Sequence, residues 1–132
     1  MLATALKLAA ERNVSVRVLS VIEVPLRFPI DFELPESEQA ARTSVEEAKE
    51  VAEEHEVEIE GRVVRARSIG DAIDDEAREV GADLIVMGSH PRWRKQSLRF
   101  FSPTVDLVLR RAPCEVMVVA YPEGVLTGDE TG

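Results

Sequence analysis

Ala82-Asp83-Leu84-Ile85-Val86-Met87-Gly88-Ser89-His90-Pro91, followed by a basic insert and then by Phe101-Ser102-Pro103-Thr104-Val105-Asp106-Leu107-Val108-Leu109-Arg110-Arg111-Ala112-Pro113-Cys114-Glu115-Val116-Met117-Val118-Val119-Ala120, decides the fold of this chain. Leu84 to Met87 is a continuous apolar run closed by Gly88, the pattern of a strand buried on both faces in a parallel sheet covered by helices. The carboxyl end of such a strand is where α/β sheets place ligands. Ser102-Pro103 predicts a helix start, with the serine as N-cap and the proline at the first helical position, where a missing N–H costs nothing. A second apolar strand, Val116 to Ala120, follows at once, so strand, helix and strand alternate as in an α/β fold.

The rest of the chain extends that alternation. Leu2, Ala5, Leu6 and Ala9 fall at helical spacing, and Asn13 is suited to end the helix in a left-handed turn. Val14 to Ile22 is rich in β-branched residues and reads as a strand. Pro25 to Pro35 holds three prolines and no period, so it is a loop, but Phe28, Ile30, Phe32 and Leu34 make it apolar. It either covers a sheet edge or faces a partner. Glu36 to about Glu54 is a helix with a narrow stripe of Ala40, Val45, Ala48, Val51 and Ala52. Val57 to Arg65 reads as an outer strand with Gly61 as a candidate bulge. Ser68-Ile69-Gly70-Asp71 is a capping signature, after which Ile73, Ala77 and Val80 form the buried face of a helix stopped by Gly81.

With 132 residues, 45% of them hydrophobic, there is material for one core and one domain, placed at residues 1–122 with a flexible tail at 123–132. A formal charge of −9 argues against a general nucleic-acid or anionic-membrane binder. Thirteen of the 16 basic residues are Arg, which fits either a high-salt interior or a GC-rich genome. The single Cys114 can form no internal disulfide and reads as a small buried apolar side chain. No apolar run approaches the ~20 residues of a membrane span, and the first 25 residues lack the layout of a signal peptide. The expected location is the cytoplasm, without membrane insertion.

Chemistry has few places to sit. His55 and His90 with one cysteine make no metal set, and His90 beside Ser89 has no orienting acid nearby, so the chain reads as neither a metalloprotein nor an enzyme. Arg92, Arg94, Lys95 and Arg99 form a basic island with no acid between Leu84 and Thr104. Beside a helix N-terminus they either hold phosphate by side chains or pair with the acidic surface. Trp93, the only tryptophan, is either a stacking partner or a packing residue. Ser102 keeps a hydroxyl at the positive end of a helix.

Asp83-Leu84-Ile85-Val86-Met87-Gly88, Ser102 and Ala112-Pro113-Cys114 stand in the order and spacing of the C-terminal half of a universal stress protein, which the chain resembles from Leu2 to Ala120. The resemblance implies a three-layer α/β/α fold of the adenine nucleotide alpha hydrolase-like type with a mainly parallel sheet, ordered Val57–Arg65, Val14–Ile22, a central strand, Asp83–Gly88, Glu115–Ala120. The central strand of that family precedes the first helix, and here no residues remain for it, as expected of a start placed too late or of a domain cut from a longer chain. The family's phosphate loop carries three glycines, and Pro91 and Phe101 stand at two of them. The implied ligand is ATP or AMP. The residues carried over to it are Val21 against adenine, Met87 and Gly88 along the ribose, and Ser102 at the phosphate, with Arg92 of the basic island added.

Proline has no N–H and phenylalanine is bulky, so weak or lost nucleotide binding is expected. The implied function is a non-catalytic module of stress response or regulation; the alternatives are an ATP- or AMP-binding member and a cytoplasmic regulatory domain derived from a membrane transporter. In the family order Glu115–Ala120 is the outermost strand, apolar and without Pro or Lys, so a homodimer through it is expected, with room for a further protein partner.

Overall fold

A computed structural model of the chain describes residues 2–89 and 102–120. Four helices and four strands alternate along it, and both pairs of neighbouring strands are parallel, an α/β arrangement as expected. The residues divide into two compact units, Leu2–Ile73 and the residues from Asp74 on.

In the first unit, helix α1 (Leu2–Arg12) buries Leu6 and Ala9 and packs on strand β1 (Val16–Glu23) and helix α2 (Pro35–Glu54). It ends as its sequence predicts: Asn13 takes φ 56, the Val14 amide reaches the Ala9 carbonyl (3.1 Å) and the Asn13 amide that of Ala10 (3.3 Å). That closure holds Val14 in the helix cap, so β1 begins at Val16 rather than Val14. Strand β2 (Ile59–Ala66) runs parallel to β1 in unbroken register from Val16↔Ile59 to Glu23↔Ala66.

Gly61 lies within that register opposite Val18 and is no bulge. A Cβ at Gly61 would stand 2.2 Å from Val45 Cγ1, so the glycine is the point at which α2 comes down onto β2. The apolar stripe of α2 is Ala41, Val45, Ala48 and Ala52, spaced i, i+4, i+7, i+11. Ala40 is exposed, one step off the stripe, and Val51 is half-buried at its margin.

The second unit takes in most of helix α3 (Ile69–Val80), strand β3 (Leu84–Ser89), helix α4 (Pro103–Arg111) and strand β4 (Glu115–Ala120). β3 pairs with β4 in parallel from Leu84↔Glu115 to Ser89↔Ala120. Ser68 caps α3 by accepting from the Asp71 amide (3.3 Å), as its sequence predicts. Val80, however, is 40% exposed, because the buried stripe of α3 runs through Gly70, Asp74 and Ala77, with Glu76 beside it. Gly81 at φ 65 closes the helix, with the Ala82 amide on the Ala77 carbonyl (2.9 Å). Among the described residues the strands form two two-stranded sheets, β1 with β2 and β3 with β4, and each pair is adjacent in the order expected.

Candidate functional site

The α4 start is built locally. Ser102 is extended (φ −67, ψ 161), its Oγ accepts from the Val105 amide (3.2 Å), and its carbonyl accepts from the Asp106 amide (3.0 Å). Pro103 brings no donor. Of the four N-terminal donors this leaves the amides of Ser102 and Thr104 without a protein partner among the described residues, together with the Ser102 hydroxyl hydrogen. Those three groups, and the Thr104 hydroxyl, are what this helix start can offer an anion. Thr104 was not legible as a site residue, because nothing in a Ser-Pro-Thr sequence says which amide the cap leaves over. Asp106 in the same turn places a carboxylate at the positive end of the helix, which stabilises the helix and opposes an incoming anion.

The other expected site residues are distributed as follows. Met87 and Gly88 lie near the carboxyl end of β3, paired with Val118 and Val119 of β4, in the same unit as Ser102. Val21 lies in β1, paired with Val64, in the first unit. Pro91, Arg92, Trp93, Arg94, Lys95, Arg99 and Phe101, and with them His90, lie outside the described residues. No group of three or more His, Cys, Asp or Glu among the described residues could hold a metal ion. Cys114 is half-buried, and burial, reinforced by the negative charges of Asp83, Asp74 and Glu115, raises its thiol pKa above the ordinary value, so it stays protonated near neutrality.

At the carboxyl end of β1 the apolar loop is fixed rather than open. Its two turns close through the Phe28 amide on the Pro25 carbonyl and the Phe32 amide on the Pro29 carbonyl (both 3.0 Å). Phe28 and Phe32 stack at 4.2 Å with 6° between their planes, and the Arg27 guanidinium lies 4.7 Å from the Phe28 centroid. Arg67 donates to the carbonyls of Val24 (3.3 Å), Pro25 (2.7 Å) and Phe28 (2.8 Å). Arg65 donates to those of Ile30 (3.3 Å) and Phe32 (2.8 Å) and to the Glu38 carboxylate. Phe28 and Leu34 pack on Ile22, Val24 and Ala41, so the loop lids the core of its unit while Leu26, Ile30 and Phe32 remain exposed. Sequence reading found the loop and missed its two arginines, Arg65 on β2 and Arg67 just after it, more than 30 residues downstream of the carbonyls they hold.

An open groove of about 630 Å³ along α2 is lined by Arg42, Glu46, Glu47 and Glu50 with Val45 and Val63 at its floor. It is mostly acidic and suits no anionic ligand.

The family model for the universal stress protein family matches residues 1–120, and the chain belongs to that family. Solved structures agree in fold. A universal stress protein from Archaeoglobus fulgidus is 24% identical, with a TM-score of 0.74 over 89% of this chain and 85% of its own. The universal stress protein from Archaeoglobus fulgidus in complex with dAMP is 24% identical, with a TM-score of 0.69 over 89% and 83%. A universal stress protein family protein from Arabidopsis thaliana with AMP bound is 16% identical, with a TM-score of 0.62 over 98% and 84%. Among proteins with curated descriptions, none matches. No helix among the described residues is long and apolar enough to cross a membrane.

Proposed function

We propose that this chain is a non-catalytic universal stress protein domain, acting in stress response or regulation, whose affinity for adenine nucleotide is weak. The observation that carries this reading is the α4 start, where the Ser102 hydroxyl takes the Val105 amide, Pro103 has no N–H, and Asp106 adds a negative charge, so of the four N-terminal backbone positions only the amides of Ser102 and Thr104 remain for a phosphate. Backbone donors are what hold a phosphate at a helix N-terminus. Any remaining affinity then comes from charged side chains such as Arg92 and falls with salt. Titration calorimetry with ATP and with AMP at low and high salt tests this: weak, salt-sensitive heats are expected, and tight, salt-insensitive binding overturns it.

The second reading, a nucleotide-binding member, is supported by the solved relatives described with dAMP and with AMP. The same titration separates the two. The raised pKa of the Cys114 thiol makes it a poor nucleophile near neutrality, in keeping with a non-catalytic reading.

We also propose a homodimer through β4. Val116, Met117, Val118 and Val119 are all half-buried, and among the described residues β4 pairs with β3 alone. Along a strand, neighbouring residues turn their amides to opposite edges. Of Met117→Pro and Val118→Pro, one therefore deletes a bond to β3 and the other deletes an outer donor. Light scattering should find monomer for the outer variant with the fold retained; two folded dimers would place the interface elsewhere.

A further inference from the structure

The negative charge of this chain is concentrated in one span. Residues 36–60, which run through α2 into β2, carry ten carboxylates and two cations, Arg42 and Lys49, so −8 of the formal −9 sits there. Within α2, Glu50 stands three or four residues from Glu46, Glu47, Glu53 and Glu54, all of them exposed, and like charges at those spacings repel. The last turn of α2 holds no basic residue, so the helix dipole opposes the charge as well. These carboxylates weaken the helix that carries them, and cations placed among them would relieve both effects.

The groove along α2 joins that row to a sheet edge. Arg42, Glu46, Glu47 and Glu50 form its wall, and its floor is Val45 with Val63 of β2. β2 is the outermost strand in the expected order and pairs with β1 alone among the described residues. Its other edge therefore faces away from β1 and from the position expected of the central strand. The Val24 amide donates to the Ala66 carbonyl (2.9 Å), which continues the Glu23↔Ala66 register. Even-numbered residues of β2 thus turn N–H and C=O toward β1, and Gly61, Val63 and Arg65 turn theirs to the outer edge. Gly61 is exposed and lies against Val45, which brings this edge to the groove floor. Such a row of donors and acceptors is one that an extended chain can match and a helix cannot.

We propose that the outer edge of β2, with the groove beside it, docks an extended basic segment of a partner polypeptide, its backbone paired to Gly61, Val63 and Arg65 and its alternate Lys or Arg side chains set against Glu46 and Glu50. Alternate side chains of an extended chain fall on one face, so a segment with a cation at every second residue presents them all to α2. Charge selects this occupant. A second copy of the chain is disfavoured, because two β2 edges paired about a twofold axis would bring two rows of α2 carboxylates together. Nucleic acid and anionic membrane are repelled by the same row.

Amide hydrogen exchange on the full chain at low salt tests the docking site. The probe is a synthetic peptide of alternating lysine and threonine, as long as the eight residues of β2. Saturating peptide should slow exchange at Gly61, Val63 and Arg65 by about tenfold or more, since a paired amide exchanges only when the pair opens. Glu46→Gln combined with Glu50→Gln should weaken binding by about tenfold, as should raising the salt to about 1 M. Both residues are exposed and the double variant removes like-charge pairs, so its fold is retained. The same peptide with proline at its centre keeps the charge, loses the pairing, and should protect none of the three amides. Equal protection by the proline peptide would show a groove that gathers any polycation, and would overturn the proposal. Unchanged exchange at millimolar lysine-threonine peptide would overturn it too. So would strong protection of the three amides before any peptide is added, with a dimer by light scattering, since the edge would then be paired with a second copy.

Discussion

Helices α2 and α4 both begin with proline, at Pro35 and Pro103, and are started in opposite ways. α4 is started by its own sequence: the Ser102 hydroxyl takes an amide of the first turn, and no distant residue is needed. α2 has Leu34 at its N-cap, which offers no side-chain oxygen. Glu38 reaches back to the Leu34 amide (3.0 Å) and is itself held by Arg65 of β2, which also holds two carbonyls of the preceding loop. The start of α2 is thus a tertiary structure, and its polar groups are consumed by packing. The start of α4 is local, and it leaves the Ser102 hydroxyl and the amides of Ser102 and Thr104 to a ligand.

Removing Arg65 should test that difference most severely. Arg65→Ala deletes two charged hydrogen bonds to loop carbonyls, each worth about 1.5 kcal/mol, so a loss of about 3 kcal/mol in urea unfolding is expected. A loss below ~0.5 kcal/mol would show that α2 starts without it. The Glu38 side of the hub titrates. The Leu34 amide, and with it the Arg65 charge, holds the Glu38 carboxyl below its ordinary value of 4.5. The unfolded chain therefore binds the proton first, so the stability that Glu38 contributes is present above 4.5 and is lost as pH falls through the lower folded value. The stability gap between the natural chain and Glu38→Gln should be constant near neutrality and shrink below that point.

Along its length α2 depends on another contact that its own sequence does not reveal. Gly61→Ala would drive a methyl into Val45 Cγ1, so Val45 must turn or the helix must lift. Overpacking of this kind costs about 2 kcal/mol. Chemical denaturation of the variant measures it, and restoration of stability by adding Val45→Ala would locate the clash. The corresponding change in α4, Ser102→Ala, removes only a local cap and should cost about 1 kcal/mol.

The same contrast explains which parts of the molecule were readable. Ser102-Pro103, Ser68 with Asp71, Asn13 and Gly81 are local devices within a few residues of what they act on, and each was legible. The pairing of the strands came instead from the family resemblance carried by Asp83–Gly88, Ser102 and Ala112-Pro113-Cys114, since an apolar run such as Leu84–Met87 marks a buried strand without naming its neighbours. The misses share a different cause. The expected bulge at Gly61 is a contact with a helix more than ten residues away, and the expected burial of Val80 falls to Asp74, a charged residue that an apolar pattern skips. The Arg65 and Arg67 bonds to the loop join residues far apart in sequence. For the site, the cap residue was legible, while the division of N-terminal amides that leaves those of Ser102 and Thr104 over needed coordinates.

The smallest expected effect lies at the other end of α2. Among the described residues three helices close through a left-handed residue, and it is Asn13 after α1, Gly81 after α3, but Glu56 after α2, at φ 58. The bonds match those after α1: the Val57 amide reaches the Ala52 carbonyl (3.0 Å) and the Glu56 amide that of Glu53 (3.1 Å). His55 Nδ1 also lies 3.0 Å from the Val51 carbonyl, which it reaches as a donor when that nitrogen carries the proton. Asparagine and glycine take this conformation with little strain, whereas a residue such as glutamate is held there at a cost of about 1 kcal/mol. Glu56→Gly removes that strain but adds freedom to the unfolded chain, so the net gain should be about 0.5 kcal/mol. Glu56→Ala, with the charge removed and the Cβ kept, should show no such gain. If alanine stabilises as much as glycine, the relief comes from removing a negative charge beside the carboxyl end of a helix, where the dipole already disfavours it, and not from the backbone.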